Sequence, residues 1–295
     1  IRFWTMSVRD YLEEYFESEI IKAHMAGSAI IGTALGPYSP GSAYVLLHHY
    51  MGEVDGNVGA WGYARGGMGS ITQAMSKSLL ANGGHIKTGS AVKNILIKNN
   101  RSYGLALENG DEIYADKIVS NLDVKRTFLK VVEKKELPSE FYTAVKNFKI
   151  RGSSGKLNIA LDDKPIWKSI PKNDPASTGD LHFTQSIEEM ESAYDDWKDG
   201  KWSTLPYVDM CIPTLNDPTM APQGKHYMSV FVQYVPYNLA DGGWTEEKRI
   251  QFGDHVMKRI GNYSTNFKDI VLHAEVRTPK ELEAEVGLTE GNIFQ

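Results

Sequence analysis

The clearest fold signal in this sequence is a glycine-rich turn that enters a helix, Tyr63-Ala64-Arg65-Gly66-Gly67-Met68-Gly69-Ser70. The residues after the turn follow the spacing i, i+3, i+4, i+7 and i+8 of one helix face: Ile71, Ala74, Met75, Ser78 and Leu79. Asn82-Gly83-Gly84 then ends the helix, because glycine tolerates the left-handed conformation beyond a helix C-terminus.

A strand meander is predicted after this helix. Alternating or short apolar runs predict five strands: residues 85–88, 92–98, 103–107, 112–115 and 118–121. Asn109-Gly110 predicts the hairpin between the third and the fourth of them. The order of turn, helix, strand, meander and strand indicates an α/β unit over residues 63–121.

Helices and further strands flank this unit. Helices are predicted over residues 8–35, from a cap at Ser42, over 123–148 with a break at Pro138, over 246–263 from a cap at Thr245, and over 280–286 after Pro279. Strands are predicted over residues 155–161, 207–212 and 226–234. The acidic stretch 186–199 is interpreted as a solvated helix face.

Composition excludes several classes of function. The 295 residues carry a formal net charge of −5 and no long basic run, which argues against binding to nucleic acid. No run of about 18 apolar residues predicts a membrane-spanning helix. Cys211 is the single cysteine, so no intramolecular disulfide can form, and a reducing compartment such as the cytoplasm is expected. Its apolar surroundings favour a core residue over a nucleophile.

Three groups of residues are candidates for chemistry, namely the glycine turn, the histidines and several aromatic side chains. The glycine turn can present backbone N–H groups to a phosphate or can be a purely structural turn, and Thr72 stands where a dinucleotide fingerprint requires its third glycine. The eight histidines show no metal-ligand spacing, so no metal site is expected. Aromatic side chains near glycines or prolines could line a substrate pocket or fill the core: Tyr44, Trp61, Tyr63, Tyr234 and Tyr237.

Several motifs follow one another in a fixed order along nearly the whole chain. They are Pro40-Gly41-Ser42-Ala43-Tyr44-Val45-Leu46-Leu47-His48-His49, Gly59-Ala60-Trp61-Gly62-Tyr63, Arg65-Gly66-Gly67-Met68-Gly69, Cys211-Ile212-Pro213, Asp217-Pro218, Phe231-Val232-Gln233-Tyr234-Val235-Pro236-Tyr237 and Gly287-Leu288-Thr289-Glu290-Gly291-Asn292-Ile293-Phe294. Read together, they resemble the phytoene-dehydrogenase-like flavoproteins, and within them the branch of the pyridine nucleotide-disulphide oxidoreductase domain-containing protein two.

The resemblance implies an α+β (α/β) fold like that of amine oxidases and phytoene desaturases. In that fold an FAD/NAD(P)-binding domain is interleaved with a substrate domain of mixed or antiparallel sheet plus helices. Residues 1–60 would form the helical part of the substrate domain, residues 61–122 a partial FAD-binding domain, and residues 123–295 the substrate domain with the antiparallel sheet. Neither the N-terminal G-x-G-x-x-G motif nor the C-terminal glycine-rich segment of such proteins is found, so we expect this chain to be a piece of a longer protein.

The resemblance also implies a cofactor and its contacts. FAD is expected in the full-length protein, and we expect none on this piece alone because the phosphate-binding helix start is missing. Val92, by position, would contact adenine through its backbone N–H and C=O groups. Arg65, Gly66 and Gly67 would lie on the loop facing the flavin, and Ser120-Asn121 would end the meander beside the cofactor.

The implied chemistry is removal of a hydride from a C–C or C–N bond of a small apolar or amine substrate, with flavin as acceptor. Tyr44, Trp61, Tyr63 and Tyr234 are the candidate substrate pocket, and no catalytic side chain is assigned. Two alternatives stay open, namely a non-redox binding or scaffold protein with the same fold and a flavin-dependent isoprenoid isomerase. Peripheral membrane contact through the apolar stretch 25–35 is a further hypothesis, and the alternative is that this stretch is a helix buried in the protein.

Overall fold

The structure is a computed structural model that describes residues 1–172 and 174–294. Its helices are α1 (Arg2–Thr5), α2 (Val8–Glu13), α3 (Glu19–Gly27), α4 (Ser42–Tyr50), α5 (Gly69–Ala81), α6 (Val124–Arg126), α7 (Ser139–Asn147), α8 (Ile187–Lys198), α9 (Glu246–Gly261), α10 (Phe267–Ile270) and α11 (Pro279–Val286). Its strands are β1 (Glu53–Val54), β2 (Asn57–Val58), β3 (Val92–Lys98), β4 (Arg101–Leu107), β5 (Glu112–Tyr114), β6 (Ser154–Leu161), β7 (Leu181–Phe183), β8 (Tyr207–Cys211), β9 (His226–Gln233) and β10 (Val271–Arg277).

The chain divides into two compact units. Unit 1 comprises residues 1–71, 151–286 and 290–294, and unit 2 comprises residues 72–150 and 287–289. The sequence prediction placed boundaries after residues 60 and 122. Residues 127–131 pack against β3 and against the flanking helices α6 and α7, so their contacts place them in unit 2. The assignment of these segments to FAD-binding and substrate domains stays a prediction.

Unit 1 is built on a five-stranded antiparallel sheet with the strand order β10-β6-β9-β8-β7. Successive side chains of a strand point to opposite faces, so each strand sends an apolar row to one side. On β6 this row is Leu157, Ile159 and Leu161, none of them exposed. It packs with Phe252 and Val256 of α9 in the core of the unit. Thr245 starts α9 as predicted, because its hydroxyl accepts a hydrogen bond from the Lys248 N–H group.

The N-terminal helices of unit 1 form a second core with α8. Leu12, Ala26 and Ile30 pack there with Met190 and Tyr234. The stretch 25–35, on which the hypothesis of membrane contact rested, contributes Ala26, Ala29 and Ile30, which are fully buried. That stretch therefore packs inside the protein. No helix among the described residues is long and apolar enough to cross a membrane.

Gln233 at the end of β9 fixes the turn that follows α3. Its side-chain oxygen accepts a hydrogen bond from the Gly32 N–H group at 2.9 Å. Its side-chain nitrogen donates to the carbonyl oxygens of Ile30 and Thr33, at 2.5 and 3.1 Å. A fully buried amide must find such partners, so this residue ties the helical core to the sheet.

Unit 2 consists of the antiparallel meander β3-β4-β5, most of α5, and the helical segment that begins at α6. The hairpin at Asn109-Gly110 is confirmed, with Gly110 at φ +90°. The helix predicted after the glycine turn is confirmed as α5, and Gly84 N–H closes it by donating to Leu79 O at 2.9 Å. No residue of α5 is buried, and its apolar face at Ile71, Met75 and Leu79 lies open.

Several local predictions are wrong. Residues 14–18 separate α2 from α3, and Ser18 caps the latter by accepting from Ile21 N–H at 3.5 Å, so residues 8–35 are not one helix. Gly41, not Ser42, is the cap of α4, because the Ser42 hydroxyl accepts instead from Val8 N–H at 2.7 Å. Residues 85–88 and 118–121 form no strand, since neither pairs with a neighbour in the part of the chain described.

Candidate functional site

Unit 2 contains an open groove of about 540 Å³ beside the meander. It brings together three of the predicted cofactor contacts, Val92, Ser120 and Asn121. Val92 is the first residue of β3, and the Ser120 hydroxyl is held by the Thr127 hydroxyl at 2.9 Å. The volume lies in the range of small-molecule sites. The structure therefore brings these residues together on one groove, and their contact with a cofactor stays a prediction.

The groove combines an apolar floor with positive charge. Ile95, Leu105 and Ile118 contribute apolar surface, together with Val92. Three cations and one carboxylate line the groove: Lys93, Arg126, Lys130 and Glu108. An apolar surface takes a flat heterocycle, and the excess of cations favours a phosphate-bearing molecule. The residues present thus fit the adenosine end of a dinucleotide.

In unit 1, the glycine turn is held by a carboxylate. Gly66 and Gly67 adopt φ of +82° and +83°, which explains why glycine stands at both positions. The Gly66 N–H group donates to Asp217 Oδ2 at 2.6 Å, and this hydrogen bond is the main cause that holds the pKa of Asp217 below its usual value. The turn therefore binds its own chain through one N–H group. Arg65 is exposed beside it, and its role toward a flavin stays a prediction.

The second face of the five-stranded sheet in unit 1 is polar, and we call it the polar face. One cross-strand row runs over all five strands: His182, Asp209, Phe231, Lys156 and Arg277. The neighbouring row is Cys211, Ser229, Asn158 and Glu275. Their alternation with the apolar row places titratable groups and the Phe231 ring on a single surface.

Lys156 lies at the centre of the polar face. Its ammonium group donates to the Ser229 hydroxyl at 2.8 Å, and no carboxylate lies within ion-pair distance of it among the described residues. Burial lowers the pKa of Lys156. A half-buried cation whose one hydrogen-bond partner is neutral can interact with an electron-rich group of a ligand.

Asp209 lies on the same row as Lys156, two strands away, which corresponds to about 10 Å. Burial, and then the charge of Asp180, raise the pKa of the Asp209 carboxyl to about 7. The Tyr207 hydroxyl donates to Asp209 Oδ2 at 3.4 Å. Burial also raises the pKa of the Cys211 thiol to about 11, so this thiol is a poor nucleophile at neutral pH.

Tyr63, one of the four predicted pocket residues, reaches the edge of the polar face. Its hydroxyl donates to Asp180 Oδ1 at 2.8 Å. Burial and this hydrogen bond raise the pKa of Tyr63 far above its usual value, and the Cys211 thiol acts in the same direction. The phenol therefore stays a hydrogen-bond donor at every physiological pH.

The other three predicted pocket residues lie elsewhere in unit 1. Tyr44 stacks on Trp4 with ring centroids 4.4 Å apart. Trp61 stacks on His49 at 5.8 Å and donates to its carbonyl oxygen at 3.1 Å. Tyr234 is fully buried, and its hydroxyl donates to Leu35 O at 2.7 Å. The contacts of Tyr234 are those of a core residue, and its assignment to a pocket stays a prediction.

Sequence reasoning missed the polar face. Residues 154–161 and 207–211 alternate between buried and partly exposed positions, and the charged residues Lys156 and Asp209 fall on the exposed phase of an otherwise apolar run. A charge at such a position is a signal of a functional surface. Strand β7 was not predicted, so His182 could not be aligned with them. No group of three metal-ligating side chains occurs in the described residues.

Comparison with known proteins defines the class. The family of flavin containing amine oxidoreductases matches residues 7–276, and this chain belongs to it. The chain is 36% identical over 98% of its length to pyridine nucleotide-disulfide oxidoreductase domain-containing protein 2 of Rattus norvegicus, of which it covers 51%. It is 29% identical over 80% of its length to a chloroplastic prolycopene isomerase of Daucus carota, of which it covers 36%. The chain thus spans about half the length of the curated relatives, or less.

Solved structures confirm the fold. An oxidoreductase from Methanosarcina mazei matches with a TM-score of 0.57 and 19% identity, over 92% of this chain and 56% of the other. A putrescine oxidase variant matches with a TM-score of 0.53 and 10% identity, over 93% of this chain and 54% of the other. The amine-oxidase-like α+β architecture expected from the sequence is confirmed, as is the resemblance to flavoproteins.

Proposed function

We propose that this chain is the substrate-side part of an FAD-dependent oxidoreductase which removes hydride from a C–C or C–N bond of a small apolar or amine substrate. The observation that carries the proposal is the groove of unit 2, where Val92, Ser120 and Asn121 meet on a cation-lined surface. The family is flavin-containing, and this groove suits the adenosine end of its cofactor.

The two units would divide the work. Flavin, when bound, would accept the hydride, and the protein would bind, orient and desolvate the substrate. In unit 2, Lys93 and Lys130 add positive charge beside the apolar floor of the groove. In unit 1, the polar face offers the Phe231 ring between Asp209 and Lys156, a flat apolar surface flanked by one acid and one cation. Such a surface can position an extended substrate.

Anaerobic reduction of bound flavin in the full-length protein tests the redox function. A long polyene and a secondary amine serve as probes of the two bond types. We expect one of them to bleach the visible absorbance of the flavin within one turnover. Flavin that stays oxidised with both probes, and with the corresponding alcohols, contradicts an oxidoreductase of this class.

The chain alone is predicted not to retain FAD. Its helix α5 leaves Ile71, Met75 and Leu79 between 45% and 66% exposed, an apolar face of a kind usually covered by further protein. Purified chain with one visible flavin chromophore per molecule contradicts this prediction. Met75→Gln removes apolar surface from this open face, whereas Gln73→Asn changes an exposed polar residue of the same helix. A gain in solubility for Met75→Gln alone would show that the open face drives association.

Isomerisation of an isoprenoid is the second candidate, favoured by the 29% identity to prolycopene isomerase of Daucus carota. An isomerase would leave substrate and product at one oxidation state and would consume no acceptor. Product analysis with a cis-polyene under anaerobic conditions separates the two reactions. Conversion to a trans-isomer without loss of hydrogen favours isomerisation, and gain of a double bond favours oxidation.

A further inference from the structure

We propose that Asp209 accepts the proton which the substrate loses during its oxidation, and that the His182–His24 pair passes this proton to solvent. The inference rests on the oxidoreductase function proposed above and names the group that its proton chemistry requires. Three observations carry it: the place of Asp209 on the polar face, its cross-strand neighbour His182, and the hydrogen bond between His182 and the exposed His24.

The oxidation needs a proton acceptor as well as a hydride acceptor. When a C–C single bond becomes a double bond, one carbon loses hydride with its electron pair to the flavin. The adjacent carbon loses a proton, and the electrons of that C–H bond form the new π bond. At a C–N bond the proton leaves the nitrogen instead. In either case a carboxylate becomes a carboxylic acid, and charge and electrons balance.

Asp209 has the surroundings that such an acceptor needs. It is partly buried on the polar face, and among the described residues no cation forms an ion pair with it. Tyr207 donates to it weakly, at 3.4 Å, and Asp180 and Cys211 are the other titratable groups near it on this edge. Burial and the Asp180 charge bring the Asp209 pKa to about 7, where a carboxylate binds and releases protons readily.

A path leads from Asp209 to the surface. His182 of β7 is the cross-strand partner of Asp209, which places their Cβ atoms about 5 Å apart. His182 Nε2 lies 2.9 Å from His24 Nδ1, and His24 is exposed. Burial, and then His24, lower the pKa of His182 to about 4, so its ring is neutral. A neutral imidazole can accept a proton at one nitrogen and release one from the other.

The first test removes the acceptor from the full-length protein. Asp209→Asn keeps shape and hydrogen bonding, and we expect it to lower the rate of flavin reduction by the polyene or amine probe about 10²- to 10⁴-fold. Asp254→Asn is the matched control, because Asp254 is exposed on α9, which packs on the opposite, apolar side of the sheet. Equal rates for Asp209→Asn and wild type overturn the inference while the oxidoreductase function stands.

The second test examines the relay. His24→Gln should slow flavin reduction in dilute buffer, and free imidazole in solution should restore the rate, because the small molecule replaces the lost side chain as proton acceptor. A purely structural role of His24 would not respond to imidazole. Absence of both effects overturns the relay.

The third test needs no turnover. Carbon-13 NMR of labelled aspartate, with Asp209→Asn for assignment, should show the Asp209 carboxyl titrating near neutral pH. A carboxyl that stays ionised down to pH of about 5 overturns the inference, whichever substrates reduce the flavin. A wild-type flavin that no probe reduces overturns the proposed function, and the inference with it.

Discussion

Removal of the Asp209 charge should stabilise the protein at alkaline pH and leave it unchanged in acid. The pKa of this carboxyl rises from 3.8 to about 7 on folding. The folded state therefore binds a proton more tightly than the unfolded state, so the stability that this carboxyl contributes is fully present below pH of about 4 and is lost as the pH rises toward 7. Roughly three pKa units, at 1.36 kcal/mol each, correspond to at most about 4 kcal/mol.

Asp209→Asn removes this ionisation, and its amide keeps the size of the side chain. At pH of about 8 the variant should therefore exceed wild type in free energy of unfolding by up to about 4 kcal/mol, because its amide oxygen can still accept the hydrogen bond from Tyr207. At pH of about 4 the two proteins should agree within about 1 kcal/mol. Urea unfolding followed by tryptophan fluorescence at both pH values measures the difference.

Asp254→Asn serves as the control, since Asp254 is exposed. Its effect on the free energy of unfolding should be small at both pH values, because an isolated surface charge contributes little. A loss of stability for Asp209→Asn at pH of about 8, or an equal effect at both pH values, refutes the reasoning that burial raises this pKa.

Three further experiments test the buried amide of Gln233, the glycine turn at Gly66 and the thiol of Cys211. Gln233→Leu should lower the free energy of unfolding by about 3 kcal/mol, because it removes three buried hydrogen bonds, whereas Leu at the exposed Gln251 should cost under about 0.5 kcal/mol in the same urea titration. Gly66→Ala should lower the free energy of unfolding by about 1 kcal/mol because of its φ of +82°, since the nearest atom to the new Cβ is 3.7 Å away and no clash adds to the cost. Gly69→Ala should be neutral or stabilising, because Gly69 is helical and nothing lies near its Cβ. Equal effects of the two substitutions would contradict the role of φ at Gly66. Iodoacetamide should modify Cys211 about a hundredfold more slowly than free cysteine at pH of about 8, because burial raises the pKa of this thiol to about 11. Mass spectrometry follows the reaction. A rate equal to that of the free thiol contradicts the burial of this group.

The sequence predicted those elements whose signals are local. The helix after the glycine turn, the Asn109-Gly110 hairpin and the cap at Thr245 all depend on residues within one turn of each other, and all three are present. The cap at Gly41 was missed because its recognition depends on a contact made elsewhere, between the Ser42 hydroxyl and Val8 N–H. The cap at Ser18 is local, and it was missed because residues 8–35 were predicted as one continuous helix.

The candidate site divides in the same way. Val92, Ser120 and Asn121 were predicted through resemblance and lie on one groove. The polar face could not be predicted, because it requires the register of β7, β8, β9, β6 and β10, whose partners can be more than a hundred positions apart, as Asn158 and Glu275 are at 117. Strand pairing over such separations is set by tertiary packing, so no local pattern reveals which charged residues will be neighbours.

The affinity of the full-length protein for FAD tests whether the groove of unit 2 holds the cofactor. Calorimetric titration of the apoprotein with FAD should give a tight one-to-one complex. Lys130→Glu, in the groove of unit 2, should weaken it at least about tenfold by reversing one charge, whereas Lys98→Glu, outside the groove on β3, should leave it unchanged. Absence of FAD binding, or equal affinity of all three proteins, would contradict the assignment of this groove to the cofactor.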